Sequence, residues 1–346
     1  MLVQNIELTK NTDLFGLGDQ RAEAAEDGGG LSQQPGNTMK KRLIAALFAA
    51  GLSTQVHAEE ASCLTVRSAD MGWTDIALTT NTAGILLKAM GYQMNNTLLG
   101  LNVAYESLKA NQIDVFLGNW RPAQDTEFKD YFDKHWVDVI NVNLTGAKYT
   151  LAVPSYVADG GVHSFDDLAK FPDKFDKKIY GIEPGTNQPL LDMVAAGRHS
   201  LKDWQVVESS EQGMLAQVKR SIARNEWIVF LGWQPHPMNL DMKMTYLSGG
   251  DVEFGPDFGG STVRTLSRVG YATACPNVAH LFKNLVFDVD YENQGMRMIT
   301  GDGMEADAAA KALLKAHPDK LAAWLDGVST ADGKPALEVV RAALAQ

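Results

Sequence analysis

The sequence predicts an α/β fold made of two lobes joined by a hinge, and three observations carry that expectation. Short apolar runs of strand length alternate with amphipathic helical runs from Leu64 to Trp233, the grammar of α/β architecture. Two extended segments, 148–154 and 261–271, stand apart from that alternation and would carry the chain between the lobes. Beyond Cys275 only helical patterns remain.

Taken in order, residues 64–67 read as a short strand and 69–74 as a turn carrying Trp73. Asp75 can cap the next helix, whose apolar face includes Ile76, Ala83, Leu86, Leu87 and Met90 before Gly91 ends it. A second helix near 103–111 leads directly into a strand at 113–117. The run K-Y-T-L-A-V-P at 148–154 is a strand carrying Tyr149; 165–171 reads as a short helix and 179–182 as a strand. In 183–191, E-P-G-T-N-Q-P-L-L, a Gly-Thr-Asn turn comes just before Pro189, a residue suited to the first helical turn. Such a helix start offers backbone N–H groups to an anion or a hydroxyl. Ser209 and Gln212 have the spacing of a capping box for a helix running to about Arg224. At 229–237, V-F-L-G-W-Q-P-H-P, an apolar strand breaks at Gly232 and presents Trp233, while Pro235 and Pro237 keep it from continuing as a helix. Residues 261–271 alternate Val263, Thr265, Ser267, Val269 and Tyr271 as a half-buried strand does, and helices follow near 281–287, 306–316, 320–325 and 337–344. One lobe is then expected at 59–148 plus 247–346 and the other at 149–246, with a cleft between them for a small ligand.

The 346 residues carry 31 Lys and Arg against 42 Asp and Glu, a net charge of -11, and no basic cluster is interleaved with aromatics. That balance argues against a nucleic-acid partner. From Met39 the chain runs M-K-K-R, an apolar stretch at 43–52 and Val56-His57-Ala58, the layout of a cleaved signal peptide at 39–58. A membrane anchor would need about 20 apolar residues. The mature chain is therefore expected to begin at Glu59 and to work as a monomer in the periplasm. Residues 1–38, whose segment 23–37 has the composition of an unfolded tail, read as an over-called upstream stretch. Cys63 and Cys275 remain in the exported chain; a disulfide between them is expected in an oxidising compartment, two free buried thiols being the alternative.

The presented Trp233 has an echo in V-F-L-G-N-W-R-P at 115–122, with one extra residue before Trp120. Ligands of open α/β sheets lie at the carboxyl ends of strands. Trp73, Trp120, Tyr149 and Trp233 all sit at strand ends or tight turns, and such rings can cage a cation that donates no hydrogen bonds, such as a quaternary ammonium. Asp75 could serve as counter-charge or hydroxyl acceptor, or only as the helix cap. No nucleophile elbow, H-E-x-x-H, C-x-x-C or P-loop is present, and no cofactor is expected. Gly301-Asp302-Gly303 reads as a turn, and the histidines are scattered without metal spacing, His236 having a structural loop role.

M-G-W-T-D, V-F-L-G-N-W, K-Y-T-L-A-V-P, G-I-E-P-G, V-E-S-S-E-Q-G-M-L, V-F-L-G-W-Q-P-H-P-M-N and Y-L-S-G-G-D follow in that order. Together they resemble the choline-binding periplasmic proteins of the glycine betaine/choline family of ABC transporters, over residues 63–346. The resemblance implies a class II periplasmic-binding-protein fold that closes on its ligand and hands it to a membrane permease. By motif it implies a cage of Trp73, Trp120, Tyr149 and Trp233, with Asp75 receiving the choline hydroxyl. After E-P-G such proteins carry Asn, whereas this chain has Thr186 and then Asn187. That departure leaves Thr186 and Asn187 open to a hydroxyl or, as in carnitine, a carboxylate. Glycine betaine fits less well, having no hydroxyl for Asp75. An exported enzyme acting on a choline-like substrate, with Asp75 or Glu183 as acid or base, is the alternative of a different class.

Intact-mass measurement of the exported protein should give a chain beginning at Glu59; one beginning at Met1 would overturn the reading of the leader.

Overall fold

The computed structural model describes residues 60–346, so the upstream stretch, the leader and the expected start at Glu59 lie outside the described residues. Within them one nine-stranded sheet organises the chain. Its strands are β1 (Thr65–Asp70), β2 (Gln93–Leu98), β3 (Val115–Arg121), β4 (Val137–Pro154), β5 (Lys178–Tyr180), β6 (Gln205–Val207), β7 (Phe230–Gln234), β8 (Met244–Tyr246) and β9 (Gly260–Arg268). They lie in the order β2-β1-β3-β9-β4-β7-β5-β6, with β8 against β4.

Both ends of this sheet are parallel and its middle is antiparallel. Pairings of β1 with β2 and β3, and of β5 with β6 and β7, are parallel. Parallel neighbours need a crossover. Helices α1 (Thr74–Ala89), α2 (Leu101–Lys109), α3 (Gln188–Ala195) and α4 (Glu211–Ala223) lie between successive parallel strands and supply it. The two α/β halves are joined through β9 and the 18-residue β4, which pair antiparallel with each other and with β3 and β7 respectively. These are the two extended segments that the sequence set apart.

Several expectations shift in detail. The first strand continues to Asp70, and β2 intervenes where the sequence suggested one helix following another. Its residues, Q-M-N-N-T-L, lie almost wholly exposed on the sheet edge, so no apolar alternation marks it. The strand at 148–154 is the last part of β4, whose earlier residues mix apolar and polar types and pair β9 through three register shifts. The helix cap before α4 is Ser210 rather than Ser209, its hydroxyl accepting from the Gly213 N–H. Ser209 instead spends its own N–H on the Ile182 carbonyl, continuing the alignment of β6 with β5.

After Cys275 come α5 (Pro276–Asn284), α6 (Val289–Thr300), α7 (Ala306–Ala316), α8 (Pro318–Trp324) and α9 (Ala336–Leu344). Gly295 lets α6 lie directly on α1: a Cβ there would stand 2.4 Å from the Leu78 Cδ2. The tail thus braces the helix whose first turn carries Asp75. No helix among the described residues is long and apolar enough to cross a membrane.

Cys63 and Cys275 form a disulfide with their Cα atoms 5.5 Å apart, which decides between pairing and two free thiols. It links residues 212 apart in sequence. In the chain-entropy model, closing so long a loop stabilises by on the order of 2–5 kcal/mol. Replacing both cysteines by serine should lower the urea-unfolding free energy by an amount in that range, and an unchanged midpoint would show that the cross-link contributes nothing.

Candidate functional site

The carboxyl ends of β1, β3, β5 and β7 converge on one small cavity of about 30 Å³. It is lined by Trp73, Asp75, Trp120, Ala123, Gln124, Tyr149, Ile182, Thr186, Glu211 and Trp233. All four aromatic residues named from the sequence are among them, each between 4% and 6% exposed.

Local backbone geometry explains how they meet. Tyr149 on β4 is the direct cross-strand partner of Trp233 on β7, so both side chains share one face. In β3 the extra residue of the echo is absorbed by a bulge: three steps from Phe116 to Asn119 oppose two steps on β9, from Leu266 to Arg264. Buried Asn119 holds the bulge, donating to Tyr105 and Gln124 and accepting from the Arg264 guanidinium at 2.6 Å. Trp120 therefore reaches the cavity despite the insertion. In both strands a cis X–Pro bond follows the tryptophan, at Arg121–Pro122 and Gln234–Pro235.

The polar edges of three of the four rings are tied down. The Trp120 indole N–H donates to the Asp75 Oδ2 at 3.0 Å, and the Trp73 indole N–H to the Glu183 Oε2 at 2.9 Å. The Tyr149 hydroxyl leans on the Thr186 carbonyl at 3.4 Å, and its ring lies 6.3 Å from that of Trp120. Such locking leaves the π surfaces, rather than the donors, to face a ligand.

Asp75 is 2% exposed, and burial, reinforced by the nearby Glu211 charge, pushes its carboxyl up to about 7 against the pull of the Trp120 N–H. Burial likewise raises Glu183. Behind Asp75, Glu292 on α6 is held well above the usual carboxylate range by burial and then by the Asp75 charge. No Lys, Arg or His lines the cavity to offset these acids. The arrangement suits a compact cation that needs no hydrogen-bond acceptors for its charge.

Residues 64–316 match the family model of the substrate-binding domain of ABC-type glycine betaine transport systems. The chain belongs to this family. A solved ABC-transporter choline-binding protein in complex with choline is 50% identical, with a TM-score of 0.80, covering 82% of this chain and 99% of its own. Lactococcal OpuAC, in its closed form with glycine betaine, is 27% identical with a TM-score of 0.68, covering 75% of this chain and 98% of its own. The glycine betaine/carnitine transport binding protein GbuC of Listeria monocytogenes is 26% identical over 171 residues, 49% of this chain and 56% of its own length. The expected periplasmic-binding-protein fold is thereby established, and the chain is a substrate-binding protein of the glycine betaine/choline ABC-transporter family.

In this substrate-binding protein two expected roles change. Asp75 does not cap α1: Trp73 occupies the cap position without a side-chain bond, and Asp75 sits inside the first turn with its carboxylate on Trp120. Asn187 does not line the cavity. Its amide oxygen accepts from the Ile182 N–H, and its NH₂ donates to Glu208 at 2.8 Å and to the carbonyls of Ile182 and Glu183. A side chain with both its amide oxygen and NH₂ engaged, 0% exposed and outside the cavity lining, shapes the loop rather than meeting a ligand. Gly181 is required beside it, since a Cβ would stand 2.2 Å from the Asn187 Oδ1. Thr186 does face the cavity, but its hydroxyl donates to the Glu183 carbonyl at 2.5 Å and its N–H goes to the same carbonyl, so it presents an acceptor.

Sequence reading missed Glu211, Gln124, Ala123 and Ile182. Glu211 lies inside the V-E-S-S-E-Q-G-M-L motif, which offered a signal; the others follow motif tryptophans or strands without distinctive spacing. His236 has the loop role expected, its Nδ1 accepting from the Met238 N–H at 2.9 Å. That bond leaves the proton on Nε2, which faces the Glu211 Oε1 at 3.4 Å, while the ring packs 4.9 Å from Trp233.

The raised Asp75 predicts a sign for ligand-free stability. The folded state holds its proton to about pH 7 while an unfolded carboxyl loses it near 3.8, so stability is full below about pH 4 and declines as pH rises to about 7. Relative to Asp75→Asn, the unaltered protein should lose on the order of a few kcal/mol across that window in urea titrations. Parallel curves for the two proteins would overturn the assignment.

Proposed function

We propose that the protein captures choline between its two lobes and delivers it to the membrane permease of an ABC transporter, after export to the periplasm. The observation that carries this is a cage of four buried aromatic rings whose polar companions are acids or acceptors, with no basic group lining it. Trp73 and Trp120 would enclose the trimethylammonium from the lobe at 59–148 plus 247–346, and Tyr149 and Trp233 from the lobe at 149–246. Desolvated cation–π contacts contribute about 2 kcal/mol each. Four of them come to about 8 kcal/mol before association costs are subtracted, so the rings supply most of the attraction, and the Asp75 contact and burial of the methyl groups must add to it for micromolar binding, about -8 kcal/mol net.

Asp75 would accept the choline hydroxyl, and the ligand's positive charge would favour its ionised form. The carboxylate of carnitine or glycine betaine fares worse. Placed beside Asp75 or Glu211 it meets a like charge, a repulsion of about 4 kcal/mol at 4 Å in a medium of effective dielectric near 20. Thr186 offers it no donor, because its hydroxyl and amide protons are already engaged. The departure from the Asn of the choline-binder motif is thus read as a change in loop construction rather than in ligand. Asn187, one position later, braces that loop from behind. Binding would select the closed arrangement to the extent that choline prefers it, and no bond is made or broken in the ligand.

Calorimetric titration should show choline binding more tightly than carnitine, glycine betaine or proline betaine, with affinity rising as pH increases toward about 7 while Asp75 ionises. Tighter binding of glycine betaine would overturn the choice of ligand, and heat from none of the four would overturn the functional reading. Trp233→Ala should weaken choline by at least about fivefold, roughly 1 kcal/mol; an unchanged affinity would remove that ring from the cage.

A further inference from the structure

The first turn of α1 is capped in an unusual way. A cap residue normally supplies an oxygen to the exposed N–H groups of its own helix, and Trp73 has none to give. The acceptor comes instead from Glu211, 137 residues away and on the other half of the sheet: its Oε2 accepts from the Thr74 N–H at 3.2 Å and its Oε1 from the Thr74 hydroxyl at 2.5 Å. A carboxylate at the start of a helix is further favoured by the helix dipole.

Glu211 does not act alone. Its own N–H donates to the Glu183 Oε1, whose other oxygen holds the Trp73 indole, and the neighbouring Gln212 donates to the Gly72 carbonyl at 3.2 Å. The His236 Nε2 approaches the Glu211 Oε1, and the His236 ring packs on Trp233. One carboxylate, 1% exposed, therefore touches both the helix start that carries Trp73 and Asp75 and, through His236, the segment that follows Trp233.

We propose that Glu211 is a closure latch: it caps α1 across the cleft only when the two halves meet, and so sets how long the ligand stays enclosed. This rests on the reading of the cavity as a ligand cleft that opens and closes. Separation of the halves would leave the Thr74 N–H to water and the Glu211 carboxylate solvated, so the bonds favour the closed arrangement specifically. Glu211 also lines the cavity and would attract a cation directly, which makes Thr74 the decisive position, since it lies outside the cavity lining and meets Glu211 through its hydroxyl.

Stopped-flow tryptophan fluorescence with choline should therefore be run on the unaltered protein, Glu211→Gln, Thr74→Val, Thr74→Ser and the Glu211→Gln/Thr74→Val double variant. Loss of a charge-assisted bond should speed dissociation about tenfold in Thr74→Val. Association should change by less than about twofold, the pattern of a contact formed after encounter. Thr74→Ser should dissociate at nearly the unaltered rate. The double variant should be no faster than the product of the singles allows, and well short of it, because both changes break the same contact. Unchanged dissociation in Thr74→Val, or effects that multiply fully, would overturn the latch while leaving choline binding intact. Failure of the unaltered protein to bind choline would overturn the functional reading and the latch together.

Discussion

A cluster of buried acids without a basic side chain lining the cavity is the constraint on which the site depends. Asp75, Glu183 and Glu211 approach one another at the ends of two helices and a strand loop, and Glu292 stands behind them. Such a cluster is unfavourable in a protein interior unless each carboxylate is hydrogen-bonded. For Asp75, Glu183 and Glu211 the donors are the indoles of Trp73 and Trp120, the Thr74 hydroxyl and backbone N–H groups. The acids thus orient the rings of Trp73 and Trp120, and the donors of those two rings in turn partly satisfy the acids. Neither set would hold its position without the other.

The sheet makes this convergence possible. Parallel strands at its two ends all deliver their carboxyl ends toward the middle, where β4 and β9 bridge them. Tyr149 stands on one of those bridging strands and is paired directly with Trp233. The ring in the middle of the cage is consequently placed by the element that joins the halves, whereas Trp73, Trp120 and Trp233 are placed by strand ends and turns. Gly259 protects this placement, because a Cβ there would collide with the Tyr149 carbonyl oxygen at 1.9 Å.

Much of this was legible in the residues. Strand–glycine–tryptophan–proline runs announce themselves through composition alone, and a one-residue difference between two such runs is what a bulge accommodates. The strands that escaped notice, β2, β6 and β8, are short or polar and pair along one side only, so their pairing is decided by neighbours rather than by their own pattern. Asp75 does stand at the site, but two residues inside the cap position, which Trp73 occupies. No local rule could show that the cap arrives from residue 211. Asn187 illustrates the converse: its type and position suit a ligand contact, yet its amide oxygen and NH₂ are both engaged away from the cavity.

The disulfide gives the molecule a covalent topology that the fold alone does not. Cys63 precedes β1 and Cys275 follows β9, so every strand of the sheet lies inside a single closed ring of main chain and sulfur. A protease cut anywhere between them leaves one molecule rather than two fragments. Every residue that lines the cage lies within this ring, and a nicked chain would still keep both sets of binding residues tethered within reach of each other.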